Sequence, residues 1–292
     1  MFRKFWSTLK GTLTSLVLVA NVLLISLSMV PVALVKLVAP RQGALRRMVD
    51  RAMNGLAEGW IVVNGWWMAL VGRTHWDVAG HEQLRRNAWY LVSSNHQSWV
   101  DILVLQKVFL RRVPFLKFFL KRQLIYVPVI GLAWWALDFP FMRRRTGSRG
   151  QDLATARKAC ERFRQIPTSV MNFLEGTRFS PAKRDAQQSP YGHLLKPKVG
   201  GLATALGAMG ERFDALLDVT IVYPKGVPTF WDLLSGKLKE VVVRVREREI
   251  PKDLLGGDYE GDPVFRARMQ AFVQTMWAEK DVRIEEILLA PR

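Results

Sequence analysis

Apolar positions crowd the first quarter of the chain and then break into short runs separated by polar turns. Between Gly11 and Val35 no residue is charged; these about 25 positions would extend roughly 37 Å as a helix, enough to cross a bilayer with some tilt. Arg3, Lys4 and Lys10 precede the run as they would in a signal peptide, but it is longer than a usual secretory segment and ends without a small-x-small cleavage site. Lys36, Arg41, Arg46 and Arg47 follow at once, so both flanks are basic and the asymmetry of a simple span is missing. Two arrangements fit: one transmembrane span, or a helical hairpin that dips into one leaflet and returns through Trp60 to Val71. Glu58 and the cluster Gly65-Trp66-Trp67 suit an interfacial depth. The expected division is an anchor over residues 1–72 and one folded domain over 73–292.

Beyond Gly72 the pattern alternates between strand and helix. Ala88–Ser93, Ser169–Leu174, Val219–Tyr223 and Val241–Val245 are short, β-rich apolar runs. Val113–Arg122 is apolar and basic and is expected to be helical. Asp152–Gln165 has helical spacing and stops before Pro167, and Gly201–Met209 also follows a helical pattern. Asp262-Pro263 opens a further helix, as an N-cap followed by proline at the first helical position, with Phe265, Met269, Phe272, Val273 and Met276 on its apolar face. Strands separated by helices predict an α/β fold: a largely parallel, twisted sheet covered by helices, preceded by the apolar helix or helical hairpin.

Composition narrows the partners. Lys and Arg number 43 against 25 Asp and Glu, a net charge of +18, which favours an anionic partner such as lipid headgroups, phosphorylated substrates or nucleic acid. The apolar segments select lipid, and the 11 tryptophans agree with a membrane–water boundary. A nucleic-acid binder would cluster its arginines with aromatics away from such an anchor. Cys160 is the only cysteine, which excludes an intrachain disulfide; it reads as a small buried apolar residue. His75, His81 and His193 have no ligand spacing with carboxylates or thiols, so no metal site is expected.

Two segments carry candidate chemistry. In Asn95-His96-Gln97-Ser98-Trp99-Val100-Asp101 the His and the Asp are five apart and would not share a helical face. They can meet if His96 lies in a turn after a strand and Asp101 in the first turns of the next helix. Asp101 would then fix the tautomer of His96 and leave its other nitrogen free to take a proton, the base–orienter half of a catalytic triad. For such a pair alone, a helix-capping His and a surface Asp are the commoner outcome. The second segment, Phe173-Leu174-Glu175-Gly176-Thr177-Arg178-Phe179-Ser180, also ends a strand. Gly176 permits close backbone approach and Arg178 offers a planar fork for phosphate; an ordinary turn with a solvated ion pair fits the octapeptide equally well.

Taken together, these blocks resemble the glycerolipid acyltransferase family, whose best-known members acylate lysophosphatidic acid. An Asn-His-x-Ser-x-x-Asp motif is matched from Asn95 to Asp101. Lys-x-x-Leu-x-x-x-Pro-x-x-Gly is matched by Lys121, Leu124, Pro128 and Gly131, with Arg144 as the arginine that follows. Glu-Gly-Thr-Arg stands at Glu175–Arg178, and a strand ending in proline at Val219–Pro224. Leu174 replaces the proline that many members carry, and Phe179 separates Arg178 from Ser180. With Leu194-Leu195-Lys196-Pro197-Lys198 soon after, this is similar to the branch of lysocardiolipin acyltransferases and longer lysophosphatidic acid acyltransferases.

The resemblance implies a membrane-bound enzyme whose catalytic domain, 73–292, lies on the cytoplasmic side, at the inner membrane if the source is bacterial. It implies acyl-CoA or acyl carrier protein as co-substrate, no cofactor, and a lysophospholipid acceptor: 1-acyl-glycerol-3-phosphate, or a relative such as lysocardiolipin. His96 would be the general base and Asp101 its partner. Glu175, Gly176, Thr177 and Arg178, with Lys121, Arg144, Lys196 and Lys198, would hold the acceptor. Ile125–Met142, with Trp134 and Trp135, would line an acyl-chain groove or face the membrane, or form core. A non-catalytic module that binds anionic lipid would share the charge and the apolar segments, but needs neither the His96/Asp101 pair nor the Glu175–Arg178 block.

Overall fold

A computed structural model describes residues 2–40, 42–139, 141–142, 163 and 166–291 of the chain. The apolar run becomes α1 (Phe2–Val38), and after a short turn through Gly43, at φ +115°, the chain returns as α2 (Ala44–Val71). Among the described residues Lys4–Val38 is the one stretch long and apolar enough to cross a membrane. The returning arm begins well before Trp60, because Val49, Met53, Ala57, Ile61 and Met68 form a buried stripe at helical spacing through a segment otherwise rich in charge.

Buried polar groups fix the register of the hairpin. The Asn21 amide donates to Asn64 Oδ1 and to the Trp60 carbonyl, both at 3.1 Å, and the Trp67 indole donates to Asn64 Oδ1 at 3.0 Å. Near the turn, the Lys36 ammonium reaches Asp50 at 2.9 Å, Asp138 at 2.5 Å and the Ala136 carbonyl at 2.6 Å. Arg46 completes this cluster against both carboxylates. The other end of the run is held as well: a Cβ on Gly11 would lie 2.6 Å from the Trp231 ring. α1 is therefore tied to the rest of the chain near both ends.

The strands β1 (His75–Ala79), β2 (Tyr90–Ser94), β3 (Leu116–Phe118), β6 (Ser169–Phe173), β7 (Ala215–Val222) and β8 (Glu240–Arg248) form one sheet in the order β1-β8-β7-β2-β6-β3. All neighbours are parallel except β7 and β8. β4 (Leu120–Lys121) and β5 (Phe141–Met142) make a separate two-stranded ladder. The helix expected over Val113–Arg122 is thus replaced by β3, β4 and the start of a 3-10 turn. Phe115, Leu116, Lys117 and Phe118 are all buried, and a segment covered on both faces shows no period from which to tell strand from helix. The helix expected over Asp152–Gln165, with Cys160, lies outside the described residues apart from Phe163.

α3 (Val100–Phe109), α4 (Ile130–Ala136), α5 (Pro181–Ala186), α6 (Gly200–Met209), α7 (Phe230–Leu234) and α8 (Pro263–Leu289) complete the fold. The hairpin and α3 share one apolar core with one face of the sheet; α6 and α8 share another with the opposite face. α8 starts at the expected cap: the Asp262 carboxylate accepts from Val264 and Phe265 N–H. β2 lies between β7 and β6, with Ser94 opposite both Phe173 and Val219. The turns after these three parallel strands therefore open side by side, where open α/β folds gather their ligands.

Candidate active site

Beyond Ser94 the chain leaves the sheet, and Asn95 replaces the lost ladder with its side chain. Its amide donates to the Ile221 carbonyl and accepts from Ile221 N–H, each at 2.8 Å. This double bond pins the next residue, His96, beside the end of β7. Asp101 stands in the first turn of α3 with no exposed surface, and its Oδ2 lies 2.8 Å from His96 Nδ1. The same oxygen accepts from Gln97 N–H at 2.6 Å and Ser98 N–H at 2.9 Å; Oδ1 accepts from the Tyr223 hydroxyl at 2.6 Å. The carboxylate is thus buried, fully bonded and aimed at one imidazole nitrogen. The His96 ring stacks on Phe173, with centroids 4.0 Å apart and planes 15° from parallel. Nε2 has no partner among the described residues. Ser98 is not free to react as a nucleophile, since its hydroxyl donates to the Pro228 carbonyl at 2.6 Å and accepts from Val100 N–H.

Glu175 is brought to the same place but does not line the cavity. It is buried: Oε1 accepts from His96 N–H at 2.7 Å and Oε2 from Leu195 N–H at 3.0 Å. Burial pushes its carboxyl up to about 7, against the two backbone donors that favour the charged form. Its neighbour Gly176 turns at φ +66°, which favours glycine, and a Cβ there would lie 3.1 Å from the flexible Lys198 side chain. Arg178 projects outward with its guanidinium 4.8 Å from the centroid of Trp99. Lys198 lies against this loop, whereas the contact made by Lys196 is a backbone bond to Gln187. Arg144 and the side chain of Lys121 lie outside the described residues.

Sequence reasoning missed several neighbours. The Lys183 ammonium donates to Thr177 Oγ1 at 3.0 Å and to the Arg178 carbonyl at 2.8 Å, adding a cation to the loop. Its placement was readable: Ser180-Pro181 is an N-cap with proline at the first position, and the Ser180 hydroxyl accepts from Lys183 N–H. Trp99, Phe173 and Tyr223 left no such signal.

A cavity of about 550 Å³ opens beside His96, Thr177 and Arg178 and runs between α1, α3 and α4, within the ~300–1,000 Å³ usual for ligand sites. Beyond its mouth the walls are apolar, with Met29, Phe118, Trp134, Leu137 and Phe139 among them. Within Ile125–Met142, Ala133, Trp134 and Leu137 line the cavity, Ala136, Leu137 and Phe139 belong to the core, and Leu132 and Trp135 are exposed on the other side of α4. A more open cleft of about 640 Å³ beside β1, β8 and the end of α8 contains none of the groups just described. The arrangement at the first cavity suits removal of a proton at the junction of a cationic rim and an apolar interior.

The sequence model of the acyltransferase family matches residues 75–224, just over half of the chain. The chain is 27% identical over 201 residues to 1-acyl-sn-glycerol-3-phosphate acyltransferase 3 of Arabidopsis thaliana, covering 63% of this chain and 52% of that one. It is 27% identical over 212 residues to lysocardiolipin acyltransferase 1 of Danio rerio, covering 67% and 51%. The chain thus spans about half the length of the curated relatives it matches. The crystal structure of the 1-acyl-sn-glycerophosphate (LPA) acyltransferase PlsC from Thermotoga maritima superposes with a TM-score of 0.58 at 17% identity, covering 99% of each chain. That likeness establishes the fold.

Proposed function

The chain belongs to the acyltransferase family, and from that premise we propose that it moves a fatty acyl group from an acyl thioester to the free hydroxyl of a lysophospholipid. The acceptor is 1-acyl-glycerol-3-phosphate or a close relative, and the donor is carried by coenzyme A or acyl carrier protein. One observation carries the reading: an imidazole with one nitrogen on a buried carboxylate, and the other unpartnered among the described residues, sits where a cationic rim meets an apolar cavity. Neither lipid adhesion nor simple binding needs that pairing.

In this mechanism His96 Nε2 takes the acceptor's hydroxyl proton as the oxygen attacks the thioester carbonyl carbon. The carbonyl electron pair moves onto oxygen, the tetrahedral intermediate collapses with cleavage of the carbon–sulfur bond, and the thiolate takes the proton back from the imidazolium. The products are a diacyl lipid and a free thiol. A thiolate leaves readily, so no acyl-enzyme is required. Asp101 stabilises the imidazolium, Arg178 with Lys183 and Lys198 holds the acceptor phosphate, and the apolar cavity takes an acyl chain.

The same proposal places the protein on a membrane as a hairpin within one leaflet. α1 is tied to the domain at Gly11 and again at Lys36, so the domain accompanies the helix along its apolar length and cannot stay wholly on one side of a full span. Leu13, Leu16, Leu24, Leu27 and Leu34 on α1 are exposed, and so are Leu132 and Trp135 on α4. These form the lipid-facing surface, with the domain on the cytoplasmic side, where soluble acyl thioesters are available.

The test presents purified protein with a labelled acyl thioester and a panel of lysolipids that includes lysophosphatidic acid and lysocardiolipin. Mass spectra of the products identify acceptor and chain length together. Thiol release coupled to one diacyl product is expected; binding of lysolipids without thiol release would overturn the reading.

A further inference from the structure

Within the proposed general-base mechanism, on which this inference rests, we infer that Tyr223 is a positioning residue that holds the Asp101 carboxylate correctly aimed at His96. Its hydroxyl donates to Asp101 Oδ1 at 2.6 Å, the oxygen that neither His96 nor the backbone uses. Asp101 is buried and takes four donors, three of which converge on Oδ2: His96 Nδ1, Gln97 N–H and Ser98 N–H. Without Tyr223 the other oxygen would be buried and bare among the described residues. Tyr223 thus supplies the bond that keeps the carboxylate from rotating and shares its negative charge.

Its geometry is built in, not incidental. Tyr223 is 3% exposed at the end of β7, and the Asn95–Ile221 double bond fixes β7 against the His96 turn two residues earlier. Burial and the adjacent Asp101 carboxylate both push the Tyr223 phenol well up, so it stays a donor throughout the working range. The charged and titratable groups around this assembly are His96, Asp101 and Glu175, with Lys280 of α8 acting on Glu175 from behind. None of them offers Asp101 Oδ1 a second proton.

The experiment compares wild type, Y223F, D101N and the double variant in detergent or nanodiscs, by initial rates with acyl thioester and lysophosphatidic acid across pH. Y223F should lower kcat about tenfold, from loss of a bond to a charged group, with both KM values unchanged. The acid limb of its kcat/KM profile should move up by about half a unit to one unit, because a carboxylate with undivided charge holds the imidazolium proton more strongly. In the D101N background, Y223F should move the limb no further, since no carboxylate charge is left for the phenol to share. 3,5-Difluorotyrosine at position 223 keeps the shape and strengthens the donor, so it should move the limb the opposite way even if Y223F folds poorly. An unshifted limb in the fluorinated protein, or effects of Y223F and D101N that add, would reduce Tyr223 to a packing residue and sink the inference. H96A separates this from failure of the mechanism itself: turnover retained in H96A would remove the general base, whereas an inactive H96A with an unmoved Y223F profile would refute the role of Tyr223 alone.

Discussion

Replacing Asp101 by asparagine separates charge from geometry at this site. The asparagine carbonyl can take the place of Oδ2, accepting from His96 Nδ1, Gln97 N–H and Ser98 N–H. Its amide then points at Tyr223, whose hydroxyl accepts as readily as it donates. The Tyr223 O–H alone gives up its acceptor, a modest cost, so the fold and the imidazole orientation should survive. The negative charge is lost. An imidazolium about 4 Å from a carboxylate, at an effective dielectric of about 20, is stabilised by about 4 kcal/mol, which is about a thousandfold in rate. D101N should therefore lose about three orders of magnitude in kcat while its unfolding midpoint and lysophospholipid KM stay near those of wild type. Stopped-time assays of thiol release, with circular dichroism melts on the same preparations, measure both. Activity within about tenfold of wild type in a folded D101N protein would show that the imidazolium needs no anion and would refute His96 as a base of this type. A collapse of the melt would instead show that the charge, rather than the shape, holds the loop.

Arg178→Ala should raise the acceptor KM by about ten- to a hundredfold, the loss expected for a bond between charged groups, while leaving the donor KM unchanged; initial rates with each substrate varied in turn decide it. Glu175 gives a pH dependence of stability whose sign follows from its raised carboxyl: between about 4.5 and 7 the folded state holds a proton that the unfolded state has lost. Its contribution is therefore complete at low pH and falls by up to about 3 kcal/mol as pH rises through 7. Glu175→Gln should flatten that slope and lower stability by about 1–3 kcal/mol at acidic pH, because an amide cannot accept from both His96 and Leu195 N–H; denaturant melts from pH 5 to 8 test both. Lys36→Met should cost about 3–5 kcal/mol by leaving Asp50 and Asp138 buried without their ammonium, and should open the turn at 39–43 to proteolysis; an unchanged melt and digestion pattern would mean that Arg46 alone suffices.

Most of the site was legible in the sequence because its blocks, each ambiguous alone, resemble one family when taken in order. A His in the turn after a strand and an Asp in the first turn of the next helix can meet, and β2 and α3 supply that context. Gly176 was read as allowing close backbone approach, its left-handed φ appearing only in the structure, and Asp262-Pro263 announced α8. Val113–Arg122 was misread because a strand buried on both faces carries no alternation, and the early start of α2 because charges interrupt the window that finds the returning arm. Tyr223 was out of reach for a different reason. Its contact with Asp101 spans 122 positions, and no local period encodes which residue of β7 ends opposite α3.

Register is what converts the separate blocks into one site. Parallel pairing of β2 with β6 and β7 sets Ser94 opposite both Phe173 and Val219, and the turns that follow deliver His96, Glu175 and Tyr223 at one edge. A slip by one residue would send Phe173 from the His96 ring to the far face of the sheet. Asn95 guards the other pairing, β2 with β7, because its two bonds to Ile221 exist in one register only. Asparagine in that motif is thus explained by strand alignment and not by contact with a substrate. The same alignment that stacks Phe173 on the base also brings the Tyr223 hydroxyl to the carboxylate. Orientation of the imidazole is accordingly a property of three strands together, and the two residues that name the site act through a scaffold they do not themselves reveal.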